Sequence, residues 1–147
     1  MRKILIAAAL AALAAAALVP SVQGQTTTTL KASMSGKVEV PKGDPDGKGS
    51  ATIRLTATRA CFTIETEKIA GSAAAHIHKG ARGKAGPVLV TLITTVSTKS
   101  RRTGCSSASK GATAKNIKAI KASPGSFYVN VHNAKYPGGA VRGQLHR

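Results

Sequence analysis

From residue 30 onward, apolar and polar side chains alternate in short runs that end at glycine, proline or serine. In "ATIRLTA", Ile53 and Leu55 are out of phase with Thr52, Arg54 and Thr56; in "CFTIETEKI", Phe62 and Ile64 oppose Thr63, Glu65 and Glu67. A period of two puts alternate side chains on opposite faces of a strand, so each run reads as a strand with one buried face. "LKASMSGKVEV" reads as a broken strand ending at Pro41, and "AAHIH" as a short one. "PVLVTLITTV" reads as a longer β-branched strand beginning after a proline, where the missing N–H is tolerated. "SFYVNVH" and "AVRGQL" add two more, joined by the turn-forming "NAKYPGG". One run has a different period: in "ATAKNIKAIKASPG", Ile117 and Ile120 stand three apart and Pro124 stops the turn, which predicts a short helix. "PKGDPDGKG" is dense in turn residues, and "STKSRRTGCSSASKG" reads as an exposed loop fixed only at Cys105. Together these elements predict an all-β fold, an antiparallel β-sandwich or barrel with one short helix.

The phase also sorts the residues that carry chemistry. With Ile77 in the core, His76 and His78 point the other way together; with Phe127, Val129 and Val131 inward, Tyr128, Asn130 and His132 point out. Val141 and Leu145 take the core side of the last strand, leaving Arg142, Gln144 and His146 outside. All four histidines are thereby expected on faces turned away from the core.

The first residues follow another rule. "MRK" precedes an uncharged run from Ile4 to Val19, and "PSVQG" then breaks it, the pattern of a secretory signal peptide with a cut near Gly24. The run is shorter than the ~20 apolar residues needed to span a bilayer, and no second apolar segment follows. The expected organisation is therefore a signal peptide over 1–24, a flexible lead-in over 25–29 and one domain over 30–147, secreted and without a transmembrane segment in the mature chain. With no Trp, two Phe and two Tyr, its core must be built from Val, Ile, Leu and Ala. In an oxidising compartment Cys61 and Cys105 are expected to form a disulfide, worth roughly 3–4 kcal/mol on the chain-entropy model.

Charge changes the picture further. The chain carries 22 basic and 5 acidic side chains, a net +17 with a pI near 10.8. Losing Arg2 and Lys3 with the leader lowers this by two. Such an excess attracts polyanions. Few aromatic residues are interleaved to stack on bases, and an exported protein rarely meets nucleic acid, which turns attention to anionic polymers of the cell envelope or to an extracellular protein partner. Lys79, Arg82, Lys84, Arg101 and Arg102 are the expected contacts.

The segments "AHIHKGARGKAGPVLVTL" and "FYVNVHNAKYPGGAVRGQL" together resemble the two hallmark segments of the CHRD domain, named from the extracellular protein chordin and common in secreted bacterial proteins. The resemblance runs from roughly Leu30 to Leu145. It implies an extracellular β-sandwich, immunoglobulin-like and Greek-key in outline, with no established enzymatic activity. Ala75 to Gly80, Gly86 to Val88, Val129 to His132 and Gly138 to Leu145 fall on its signature positions. The growth-factor role of chordin depends on other modules and is not carried over.

His76 and His78 project two ring nitrogens to one side of a strand, and a neighbouring His132 would make three, a set suited to copper or zinc. "HIH" is also similar to the copper-binding strand of Cu/Zn superoxide dismutases, which share a sandwich architecture. This chain departs from that family in having no further histidine-rich loop and no aspartate placed to complete a zinc site. The competing role for these histidines is to brace the glycine-rich turns that follow them. "DPDGKG" has Lys48 where a calcium loop needs an oxygen ligand, and Glu65 and Glu67 share a solvated face, so neither implies catalysis. The expectation is a secreted, non-catalytic binding module, with a histidine-based copper or zinc protein as the alternative.

Overall fold

The structure, a computed structural model, describes residues 26–147; the expected leader lies outside the described residues. Eight strands, β1 (Thr28–Ser35), β2 (Lys48–Leu55), β3 (Ala60–Glu67), β4 (Ala74–Lys79), β5 (Val88–Ile93), β6 (Arg101–Ser106), β7 (Phe127–His132) and β8 (Val141–Gln144), pair antiparallel in the order β5-β4-β7-β8-β1-β2-β3-β6. The sheet folds over until its two edges approach: Ser106 on β6 donates to the Thr91 carbonyl on β5, and Arg102 Nη2 donates to Thr95 Oγ1 at 2.9 Å. The result is an all-β sandwich, nearly a barrel. Because β6 lies beside β3 while β4 and β5 fill the far side, the path from β3 to β6 is a Greek key.

The period-two pattern places the core as expected. Leu30, Ile53, Leu55, Phe62 and Ile64 on one half of the fold meet Ile77, Val90, Phe127, Val129, Val131, Val141 and Leu145 on the other, all buried. The helix, α1 (Ala114–Ala122), is capped by Thr113, whose Oγ1 accepts from Asn116 N–H at 3.2 Å, and it buries Ile117 and Ile120 against the same core.

Three expectations need correction. Residues 101–106, read as loop, form edge strand β6, six residues paired with β3 from Glu65↔Arg101 to Ala60↔Ser106. Its polar composition hid it, since a strand facing solvent and lying on an edge has little need of apolar residues. Cys61 and Cys105 sit opposite each other in that ladder and are joined by the expected disulfide. At the N-terminus, β1 opens at Thr28, inside the stretch read as lead-in.

The third correction concerns the outer faces. Tyr128, Asn130 and Arg142 do point away from the core, yet they are only 3%, 2% and 2% exposed. Loops 36–44 and 80–86 fold back across the outer face of β4, β7 and β8. Arg142 donates to the carbonyls of Lys84 (3.0 Å) and Ala81 (3.3 Å), and Gln144 to that of Gly80 (2.7 Å). Alternation correctly gives the side of the sheet and says nothing about what covers it. Of the residues expected outside on β7 and β8 and just beyond, His146 alone falls among the exposed residues.

Candidate functional site

Under those loops the outer face of β4, β7 and β8 holds a second, polar interior. The ladder sets His76 beside Asn130 and His78 beside Tyr128, with Asn130 in turn beside Arg142. His78 stacks on the Tyr128 ring, centroids 4.9 Å apart and planes 10° from parallel, and the Arg142 guanidinium lies 3.6 Å from the Tyr128 ring centroid. Arg142 also faces the buried carboxylate of Glu39, Nη1 to Oε1 3.8 Å. Burial pushes the Glu39 carboxyl above its usual range, while its hydrogen bond from Val40 N–H, the Arg142 charge and Asn130 pull the other way.

Beside this stack the three histidines converge. Ligand atoms of His76, His78 and His132 lie within 4.8 Å of one another, and the His76 Nδ1 to His132 Nε2 distance is 3.1 Å. Each of two rings is oriented by a carbonyl. His78 Nδ1 donates to Gly86 O and His132 Nδ1 to Pro137 O, both at 2.8 Å. A carbonyl only accepts, so both rings carry a proton on Nδ1, and the neutral form of each presents an Nε2 lone pair to the cluster. The Nε2 of His78 is buried and has no hydrogen-bond partner. The Nε2 of His132 faces Asn130 Oδ1 at 3.0 Å as well as His76 Nδ1.

Burial biases His76 and His78 toward the neutral form. Burial depresses the pKa of His76 from 6.5 to about 4, with His132 and then His78 adding to the effect. Burial likewise lowers that of His78, against the hydrogen bond to Gly86, which raises it. Neutral imidazoles are the ligand form.

The glycine-bearing turns are what hold the rings in place. A Cβ on Gly86 would stand 1.8 Å from the Lys79 carbonyl, so only glycine lets the chain return close enough to β4 to offer its carbonyl to His78. The same residue's N–H donates to Tyr128 Oη at 3.2 Å. Turn bracing and ligand orientation are thus one arrangement. Turn residues supply the carbonyls, the carbonyls set the tautomers, and the tautomers aim Nε2.

The basic residues are divided. Lys79, Arg82 and Lys84 are exposed on the turn after β4. Arg101 pairs with Glu65, and Arg102 donates to Ser72 Oγ at 2.9 Å and to Thr95, near the other end of β4. The structure therefore joins the first three and holds the last two apart from them. Sequence reading also passed over Asn130, Tyr128 and Arg142 as chemistry; the one available signal was their place inside the second hallmark segment.

The family model for the CHRD domain matches residues 30–145. No curated protein and no solved structure matches the chain.

Proposed function

The chain belongs to the CHRD domain family, and from that premise we propose that it is a secreted, metal-binding member in which His76, His78 and His132 hold zinc or copper. The observation that carries the reading is an excess of acceptors. His78 Nε2, His132 Nε2 and Asn130 Oδ1 all present lone pairs to one small space, and the His76 ring has one N–H to offer them. A buried acceptor without a partner costs about 1–3 kcal/mol, and a bound cation removes that cost for several atoms together. Three imidazoles are an established ligand set for zinc and suit copper. An ion with bonds of about 2.0–2.1 Å in tetrahedral geometry places its nitrogens roughly 3.3 Å apart. The His76–His132 pair stands near that spacing, and small ring movements close the third. His76 and His132 are half-exposed, leaving an entry path and an open coordination position. The leader pattern and the disulfide support an extracellular setting.

The test is metal analysis of tag-free protein, followed by calorimetric titration of zinc and of copper. One ion per chain is expected, with uptake lost in the His76→Ala/His78→Ala/His132→Ala variant. Equal uptake by variant and parent would remove the reading.

A second reading, contact with an anionic polymer of the cell envelope, is favoured by the exposed Lys79, Arg82 and Lys84 and by the absence of any acidic residue after Glu67. Retention on a heparin-type resin should then fall steeply with ionic strength, because salt screens exposed charges. Retention that ignores salt would dismiss it.

A further inference from the structure

Loop 36–44 has a tip whose side chains are sorted by chemistry in a way the metal site does not require. In the run Lys37-Val38-Glu39-Val40-Pro41-Lys42, the acid is turned inward, 4% exposed beside Arg142, while Val38 and Val40 are turned out at 42% and 36%. The outward surface of this tip is thus two valines and a proline between two lysines, with no exposed carboxylate in the run. Loop 80–86 stands against it: residues 37–42, the buried Glu39 among them, together with Arg82 and Gly83 line one shallow groove of about 420 Å³. Hydrogen bonds brace the tip from behind. Glu39 N–H and Gly43 N–H both donate to Gly36 O, and Asp44 N–H donates to Ala140 O.

We propose that this tip docks on the headgroup face of an anionic lipid bilayer, with Val38, Val40 and Pro41 entering the interface and Lys37, Lys42 and Arg82 seated among the phosphates. This rests on the electrostatic reading above, of which it shares Arg82, and sets a bilayer in place of a polymer. A hydrated polysaccharide accounts for the cations and leaves the outward valines unexplained. A bilayer uses both, since apolar side chains enter just beneath a layer of negative charge. Two adjoining loops carrying three cations and three apolar groups fit a reversible surface contact.

The experiment is co-sedimentation of the chain from residue 25 onward, the expected mature form, with phosphatidylglycerol or phosphatidylcholine vesicles, alongside retention on heparin resin. Binding to phosphatidylglycerol and not to phosphatidylcholine is expected. Each cation at an anionic surface is worth roughly fivefold in partitioning, so Lys37→Ser/Lys42→Ser/Arg82→Ser should lose about 100-fold and also weaken on heparin. Val38→Ser/Val40→Ser should lose about tenfold on vesicles and nothing on heparin. The chain has no tryptophan, so Val40→Trp gives a clean probe, expected to shift its emission to the blue on anionic vesicles. Circular dichroism of every variant verifies folding. Heparin retention without vesicle binding, or vesicle binding indifferent to the valine pair, would overturn the bilayer proposal and leave the electrostatic reading standing; failure to bind either would end both.

Discussion

Arg142 is a guanidinium 2% exposed, clamped between an aromatic ring, two loop carbonyls and one carboxylate. Desolvating a charge is expensive, and removing one partner of a buried pair typically costs 3–5 kcal/mol because the other is left uncompensated. Arg142→Met should therefore destabilise by about that amount in urea unfolding, and adding Glu39→Gln should return part of it. A single-variant loss under about 1 kcal/mol would mean the pair holds nothing. The histidines make a second residue-scale prediction, in metal-free protein. His76 has its folded pKa depressed to about 4 from 6.5. Above pH 6.5 the ring is neutral in both states and sets no pH dependence. As pH falls from 6.5 toward 4, the unfolded chain takes up a proton the folded site refuses, so stability drops across that window. His78 acts in the same direction. Glu39, with its pKa raised by burial, opposes it, since it lowers stability as pH rises above 4.5. The melting temperature should fall between pH 6.5 and 4, and less so in His76→Gln/His78→Gln; equal slopes would contradict the assignment.

Among the elements, β4 and β7 each have one buried apolar face and one polar face that loops partly or wholly cover. Their phase was legible because Ile77, Val129 and Val131 alternate with His76, His78, Asn130 and His132. Their second burial was not, because strand parity does not say which loops fold over the outer face: loop 36–44 is far from both strands in sequence, and loop 80–86, next to β4, also covers β7 and β8. Gly86 is where that dependence is sharpest: Gly86→Ala puts a methyl where the Lys79 carbonyl already stands, and the displaced turn carries its own carbonyl away from His78. Loss of such an orienting partner costs 10–100-fold in metal affinity. Zinc titration of Gly86→Ala should show a loss in that range with the sheet intact by circular dichroism; unchanged affinity would mean the carbonyl does not aim the ring. Strand β6 shows the opposite case. Its residues, Arg101 to Ser106, carry no apolar alternation to read, and its ladder with β3 is held at Cys61↔Cys105.

Across the whole molecule, a core with no tryptophan leans on its one cross-link. The Cys61–Cys105 bond closes a loop of 44 residues, and on the chain-entropy model Cys61→Ser/Cys105→Ser should lower unfolding stability by about 3–4 kcal/mol, read as a shift of the urea midpoint; an unmoved midpoint would show that the sheet alone suffices. What the sequence by itself determined was the all-β class, the helix at Ile117 and Ile120, the inward set on the alternating strands, the CHRD family and the shared face of His76 and His78; that His132 joins them was conditional on the pairing of β7 with β4. These follow from local rules: strand parity, helix spacing, turn chemistry and a motif. Tertiary structure alone decided that loops cover much of the outer face of β4, β7 and β8 and that Glu39 meets Arg142; the bracing of the glycine-bearing turns by the histidines was an expectation of the sequence, and the structure supplied the atoms, Gly86 O and Pro137 O. It also separated Arg101 and Arg102 from the cations of the β4 turn. The physical reason is that parity tells which way a side chain leaves its own strand, whereas burial, partner and pKa depend on which remote loop folds over it.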